Sequence, residues 1–114
     1  MKTTSPSTAC LKLSVTEGVF TIVLSDIIRL KASSNYTLIY FTNRRPLVIA
    51  RVLKQFEDIL SSYGFIRIHR THLINRRYIS TVGRNGQIVM TDDSVTGVSR
   101  RLKQQVMKQL HPAA

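Results

Sequence analysis

Two histidines, His69 and His72, are the residues of this chain best suited to chemistry, and they sit in the run Phe65-Ile66-Arg67-Ile68-His69-Arg70-Thr71-His72-Leu73-Ile74-Asn75-Arg76-Arg77. His-x-x-His holds a metal when both rings converge and further ligands join them. On one continuous strand a spacing of three sends the two rings to opposite faces. No Cys, Asp or Glu stands nearby in sequence to complete a set. Acid–base catalysis would need a partner for His69, and the carboxylates available are Glu17, Asp26, Glu57, Asp58, Asp92 and Asp93. Asp92-Asp93 reads as a turn and Glu57-Asp58 as the solvated face of a helix. Cys10 has no neighbour that would activate a thiolate, and no Gly-rich phosphate loop is present. The expectation is a protein that binds, not an enzyme, with no metal and no cofactor.

The same run carries a second message. On an extended chain Ile66 and Ile68 share one face and Arg67 and His69 the other, so one face enters a core and the other meets solvent or a ligand. Arg70 and Thr71 fall where the alternation breaks, presenting a guanidinium and a hydroxyl at the tip of a strand. Across the chain 17 Lys and Arg face six Asp and Glu, a formal net charge of +11. Such an excess points to a polyanionic partner, nucleic acid first. The basic residues do not gather on one long amphipathic helix, which disfavours a membrane surface. They cluster at strand ends and connectors: Arg44, Arg45, Arg67, Arg70, Arg76, Arg77, Arg84, Arg100 and Arg101. Arg donates in pairs to guanine, Asn35 can do the same at adenine, and the remaining cations neutralise phosphate.

The elements that must position these groups are mostly strands. A length of 114 residues with 43% apolar content supports one domain with a single modest core. Residues 1–9 read as a flexible tail and 10–114 as the domain. β-like runs cover 11–15 and 19–24 around Thr16-Glu17-Gly18, 26–32 and 36–42 around Ser33-Ser34-Asn35, and 46–49 after Pro46. Runs over 78–84 and 87–91 flank Asn85-Gly86, the strongest hairpin signal, and a last strand spans 94–98. Apolar residues at 52, 53, 56, 59 and 60 predict a helix stopped before Gly64. Ser99 predicts the N-cap of a terminal helix ending at His111-Pro112. That helix opens with Arg100 and Arg101, the unfavourable end of its dipole for cations, which suggests a functional return. One cysteine and no long apolar run fit a cytoplasmic protein that does not cross a membrane.

Other partners stay open at this level. A module for single-stranded DNA or RNA would expose aromatics for stacking. Phe20, Phe41, Phe56 and Phe65 sit in core-like alternation, leaving Tyr36 and Tyr63 as the exceptions. A protein-interaction module for an acidic partner is the remaining alternative.

From about Asp26 to Leu110 the chain resembles the LytTR family of bacterial DNA-binding domains, found mostly as output domains of response regulators in two-component systems. The resemblance is carried by Phe65-Ile66-Arg67-Ile68-His69-Arg70-Thr71 through Leu73-Ile74-Asn75 to Ile79. Asp26-Ile27-Ile28 with Ser34-Asn35-Tyr36, the helix Leu53 to Leu60, and Val98-Ser99-Arg100-Arg101 agree in order and spacing. It implies an elongated, mostly β fold with one small packed helix and a C-terminal helix, whose loops enter successive major grooves of duplex DNA. It also implies a transcriptional regulator, with one domain on each of two imperfectly repeated sites, as a homodimer on DNA or as separate copies. Carried over by position, the base-reaching loops hold Ser34, Asn35, Tyr36, His69, Arg70, Arg100 and Arg101, with His69 either reading a base or orienting its loop. Lys31, Arg44, Arg45, Arg67, Arg76, Arg77 and Arg84 would meet phosphates, and Asn75 would satisfy buried backbone. Lys31 stands where the family commonly has an acid, and His72 where it has an aromatic. About ten residues precede the first strand, too few for a receiver domain, so the chain reads as an excised output domain or a stand-alone regulator.

Overall fold

A computed structural model describes residues 9–15 and 18–110. The expected tail therefore lies outside the described residues except for Ala9, as do Thr16-Glu17 and His111-Pro112. Alternating side chains produce β1 (Cys10–Val15) and β2 (Gly18–Val23), then β3 (Ile27–Ser33), β4 (Tyr36–Phe41) and β5 (Leu47–Ile49). Helix α1 (Leu53–Leu60) precedes β6 (Phe65–His69) and β7 (His72–Asn75). The chain closes with β8 (Ile79–Val82), β9 (Gln87–Met90), β10 (Val95–Gly97) and α2 (Arg100–Leu110). Single 3-10 turns at Leu24–Asp26, Ser61–Tyr63 and Arg76–Tyr78 join some of them. Asp26, expected to begin a strand, belongs to the first of these turns.

The strands form three antiparallel sheets: β1-β2, a five-stranded sheet ordered β5-β4-β3-β7-β6, and a three-stranded sheet ordered β10-β9-β8. The five-stranded sheet is the frame, and both of its faces are filled. Leu30, Ile39 and Leu73 meet Leu13 and Ile22 of the β1-β2 hairpin and Leu53, Phe56 and Leu60 of α1. Ile66, Ile68 and Ile74 meet Ile88 and Met90 of the three-stranded sheet and Val106 of α2. The expectation of one core face and one open face on the Phe65–His69 strand is thus corrected. Phe65 enters the first cluster while Ile66 and Ile68 enter the second. Ordinary alternation does this, with both faces apolar; irregular register occurs only beyond it, between Arg67 and His69 and, on β3, between Ile27 and Arg29. A bulge shifts the alternation, so that Ile27 and Leu30, three apart, reach the same cluster. Burying a side chain such as Phe56 or Leu73 stabilises the fold by about 1.5–3 kcal/mol.

Helix α1 turns Leu53, Phe56 and Leu60 inward, but Val52 and Ile59, counted in the same apolar stripe, face solvent. Gly64 ends the following turn at φ 88°, a conformation that costs glycine least. The second sheet is clasped to the first by Arg29 on β3, whose Nε lies 3.1 Å from Asp92 and whose guanidinium sits 3.7 Å from the centre of the Tyr40 ring. Burial opposes charge on Asp92, yet hydrogen bonds from Ser94 and Arg29 outweigh it and hold the carboxyl below its ordinary value. The result is a slab of 42 × 41 × 24 Å.

Candidate nucleic-acid interface

Strand direction decides which loops share an end. Strand β3 turns into β4 through Ser34-Asn35, closed by the pair Ser33–Tyr36, with Ser34 at φ 58°. Strand β6 turns into β7 through Arg70-Thr71. Because β3 and β7 are neighbours, both tips lie at one end of the sheet, and the Ala32 N–H donates to the Thr71 carbonyl at 2.8 Å to fix them side by side. Asn35 and Arg70 are exposed there, and Tyr36 is half exposed.

The second tip is braced from within. Arg67 donates from Nε to the His69 carbonyl (2.8 Å) and from Nη2 to the Arg70 carbonyl (2.5 Å). Its Nη1 reaches Glu57 of α1 at 2.7 Å. Arg67 was expected at a phosphate; here all three of its nitrogens are engaged by the protein, so it supports the turn. Glu57, read as a solvated helix residue, is instead the anchor for that support. The pairing escapes sequence reading because the helix is brought against β6 only by tertiary packing.

His69 is tied to the turn as well. Its Nδ1 accepts from the Thr71 N–H at 3.2 Å and lies 2.9 Å from Thr71 Oγ1. This bond orients the ring and leaves Nε2 free of these contacts. His69 and His72 do not diverge as their spacing suggested. The turn puts them on two strands as a directly paired couple, with ring centres 5.7 Å apart. Among the described residues no third metal-binding side chain joins them. Burial, with His69, Lys31 and Arg29 nearby, pushes the His72 ring down to about 4.

Helix α2 starts beside this turn. The Ser99 N–H donates to the Ile68 carbonyl at 2.9 Å, and the Ser99 hydroxyl caps the Leu102 N–H at 3.3 Å. Exposed Arg101 lines a groove shared with Arg70 and Arg67, and Arg100 is exposed in the same first turn. The β8-β9 loop joins them: the Val98 N–H donates to the Gly86 carbonyl at 3.0 Å, which brings Arg84 to this side. Gly86 packs against Lys103, a cation not singled out from sequence. Lys31 is exposed on β3, next to His72.

Other expected contacts are elsewhere. Arg44 and Arg45 follow the far end of β4, with Arg44 stacked 5.3 Å from the Phe41 ring centre. Arg76 and Arg77 follow β7 and share a pocket with Tyr63. Four residues of β7 separate them from the tip, ~13 Å of strand. These four arginines, expected at phosphates, cannot be placed from sequence because their end of the sheet depends on topology. Asn75 is spent on the backbone as expected, donating to the Ile27 carbonyl (2.9 Å) and accepting from the Arg77 N–H (3.0 Å).

One end of the slab therefore presents an amide, several guanidinium groups and a braced turn. This is a surface for base edges and phosphates. The family model for the LytTr DNA-binding domain matches residues 17–111. The chain belongs to the LytTr DNA-binding domain family. LytTr domains are DNA-binding domains, a family defined by binding and not by catalysis. A solved structure similar in fold is the LytTr DNA-binding domain of a protein described as a methyl-accepting/DNA response regulator from Bacillus cereus. It is 20% identical, with a TM-score of 0.73 over 91% of this chain and 97% of that one. No curated protein matches the chain. No helix of this LytTr domain among the described residues is long and apolar enough to cross a membrane.

Proposed function

We propose that this LytTr domain reads a specific sequence of double-stranded DNA and acts as a cytoplasmic transcriptional regulator, one copy on each of two imperfect repeats. The observation that carries the reading is the meeting of Asn35, Arg70 and Arg101 at one end of a sheet whose β6-β7 turn is hydrogen-bonded to β3 and whose β6 is hydrogen-bonded to the N-cap of α2. Loops of fixed spacing on a rigid frame suit entry into adjacent grooves. Ser34, Tyr36 and Arg100 flank these readers, and His69 orients the Arg70 turn with Nδ1. Lys31, Arg84 and Lys103 are the neighbouring cations for phosphate. Arg44, Arg45, Arg76 and Arg77 lie outside this footprint. Single-strand binding finds less support, since exposed Tyr36 and Tyr63 stand at opposite ends of the sheet and form no common stacking platform.

The test begins with selection of bound sequences from a random duplex pool. Arg70→Ala then costs about 1–3 kcal/mol on the selected duplex and relaxes base preference, whereas Arg84→Ala weakens all duplexes alike. Equal losses for Arg70→Ala on selected and random duplex defeat the base-reading assignment. About three phosphate contacts give a log–log salt slope near −2.7, and preference for unpaired strands over duplex would refute the proposal.

A further inference from the structure

The end of the slab away from the reading turns carries a second cationic surface, which DNA reading leaves idle. Three connectors meet there: the 3-10 turn Leu24–Asp26 before β3, the stretch 42–46 after β4, and the 3-10 turn Arg76–Tyr78 after β7. The first of them joins the other two. Its Asp26 carbonyl accepts from the Thr42 N–H at 2.9 Å on one side, and its Ser25 carbonyl accepts from the Tyr78 hydroxyl on the other. Arg44 and Arg45 are thereby set against the same small turn as Arg76 and Arg77, and all four are exposed. Two strand spacings, from β4 across β3 to β7, separate the pairs at the strand ends, ~10 Å. None of the four makes an ion pair among the described residues, where Arg29, Lys54 and Arg67 engage Asp92, Asp58 and Glu57. Asp26 is the one carboxylate on these connectors, and Asp93 stands in the β9-β10 turn over the other face of the sheet. Four like charges gathered on one edge repel each other until an anion arrives.

Beside Arg76 and Arg77 lies a hollow of about 360 Å³, whose apolar lining comes from Ala9, Leu24, Phe65 and Tyr63. Its walls are tied in place. The Leu24 N–H donates to the Ala9 carbonyl at 2.9 Å, and the Arg76 N–H donates to the Gly64 carbonyl at 3.0 Å. Leu24 and Phe65 belong to the first buried cluster together with Phe41, and Phe20 packs against it. The Arg44 guanidinium lies 5.3 Å from the Phe41 ring centre and 5.5 Å from that of Phe20, so it borders the same core as the hollow. Stacking holds this guanidinium flat and leaves its N–H fork for an outside acceptor. Tyr63 is 54% exposed, an aromatic left uncovered where it lines a pocket. Tyr and Arg around a small apolar pocket are the residues that dominate protein–protein binding.

We propose that this end docks an acidic segment of a partner protein, with carboxylates on Arg44, Arg45, Arg76 and Arg77 and one bulky apolar side chain in the hollow beside Tyr63. A second copy of this chain would set like charge against like charge. Duplex DNA supplies the anions but has no apolar side chain to fill the hollow. The six residues of β4 span the sheet between the two ends, ~17 Å, so a protein partner here leaves the Asn35 and Arg70 tips uncovered. The surface does not depend on the DNA reading, and failure of either leaves the other standing.

The experiment selects binders to the full chain from a displayed library of random twelve-residue peptides and titrates the enriched peptides into ¹⁵N-labelled protein. Expected are peptides with several Asp or Glu around a Leu, Ile, Phe or Tyr, giving saturable shifts at Tyr63, Gly64 and residues 44–45 and 76–77. Replacing the apolar residue of the peptide by Ser lowers affinity about tenfold or more, and so does combined Arg76→Ala and Arg77→Ala, a loss of about 1.4 kcal/mol each. That double variant melts with the parent, which separates lost binding from lost folding. No enrichment of acidic peptides, shifts that fall elsewhere, equal binding by the Ser peptide or by the double variant, or the same shifts at equal affinity from an oligo-dT strand at matched ionic strength overturns the proposal.

Discussion

Arg67→Ala separates support of the reading turn from direct contact with DNA. The side chain bridges α1 and the turn through Glu57 at 2.7 Å and two carbonyls at 2.8 and 2.5 Å. Hydrogen bonds to charged groups contribute about 1.5–3 kcal/mol each. Arg67 and Glu57 keep side-chain exposures of 20% and 28%, so water recovers part of that on removal. A net stability loss of about 2–3 kcal/mol is expected in urea melts. If release of the turn leaves ~1 molecule in 10 in the competent arrangement, apparent DNA affinity falls about tenfold. Fluorescence anisotropy on the selected duplex at several salt concentrations provides the deciding measurement. A support does not neutralise phosphate, so the salt slope stays unchanged while affinity drops. Glu57→Gln, which keeps the side-chain size but removes the charge that holds Arg67, weakens binding in the same direction by a smaller amount. Unchanged stability with a slope shallower by about 0.9 would mean that Arg67 contacts phosphate, and the bracing argument would be wrong.

Three further outcomes follow from the same geometry. The His72 ring takes a proton near 6.5 when unfolded and only near about 4 when folded, so the unfolded state binds more protons between these values. Stability is whole above about pH 6.5 and declines as pH falls toward 4, by about 1–2 kcal/mol after solvent screening of a half-buried ring; His72→Phe removes this dependence in pH-resolved melts. Asn75→Ala strands the Ile27 carbonyl and the Arg77 N–H and costs about 2–3 kcal/mol by chemical denaturation, against little change if solvent replaces both bonds. Arg76→Ala with Arg77→Ala changes affinity for the selected duplex by less than about 0.5 kcal/mol, and a loss as large as that of Arg70→Ala contradicts the placement of the footprint.

Local rules made much of the frame legible. Alternation marked the strands, Asn85-Gly86 the β8-β9 hairpin, Gly64 the stop after α1, and Ser99 the cap of α2. What escaped depends on contacts distant in sequence. Both faces of the five-stranded sheet are covered, by α1 and the β1-β2 hairpin on one side and by β9 and α2 on the other, and no local period announces those partners. The pairing of His69 with His72 required knowing that a turn divides them. Arg70, Arg101, Arg44, Arg45, Arg76 and Arg77 carry the same charge in sequence; strand direction, with the Ser99–Ile68 hydrogen bond that seats α2, puts Arg70 and Arg101 at the proposed reading end and the other four away from it. The bracing bonds of Arg67 were hidden for a related reason, since its partner Glu57 is positioned by packing of α1.

A sheet filled on both faces also has a consequence for how such a protein can change its preferred target. Ser34, Asn35 and Arg70 belong to neither buried cluster, so exchanging them alters the outward chemistry without opening a void. On the proposed reading, new specificities are accessible by single substitutions at the tips, while alterations to the interior tend to lose the protein before they retune it.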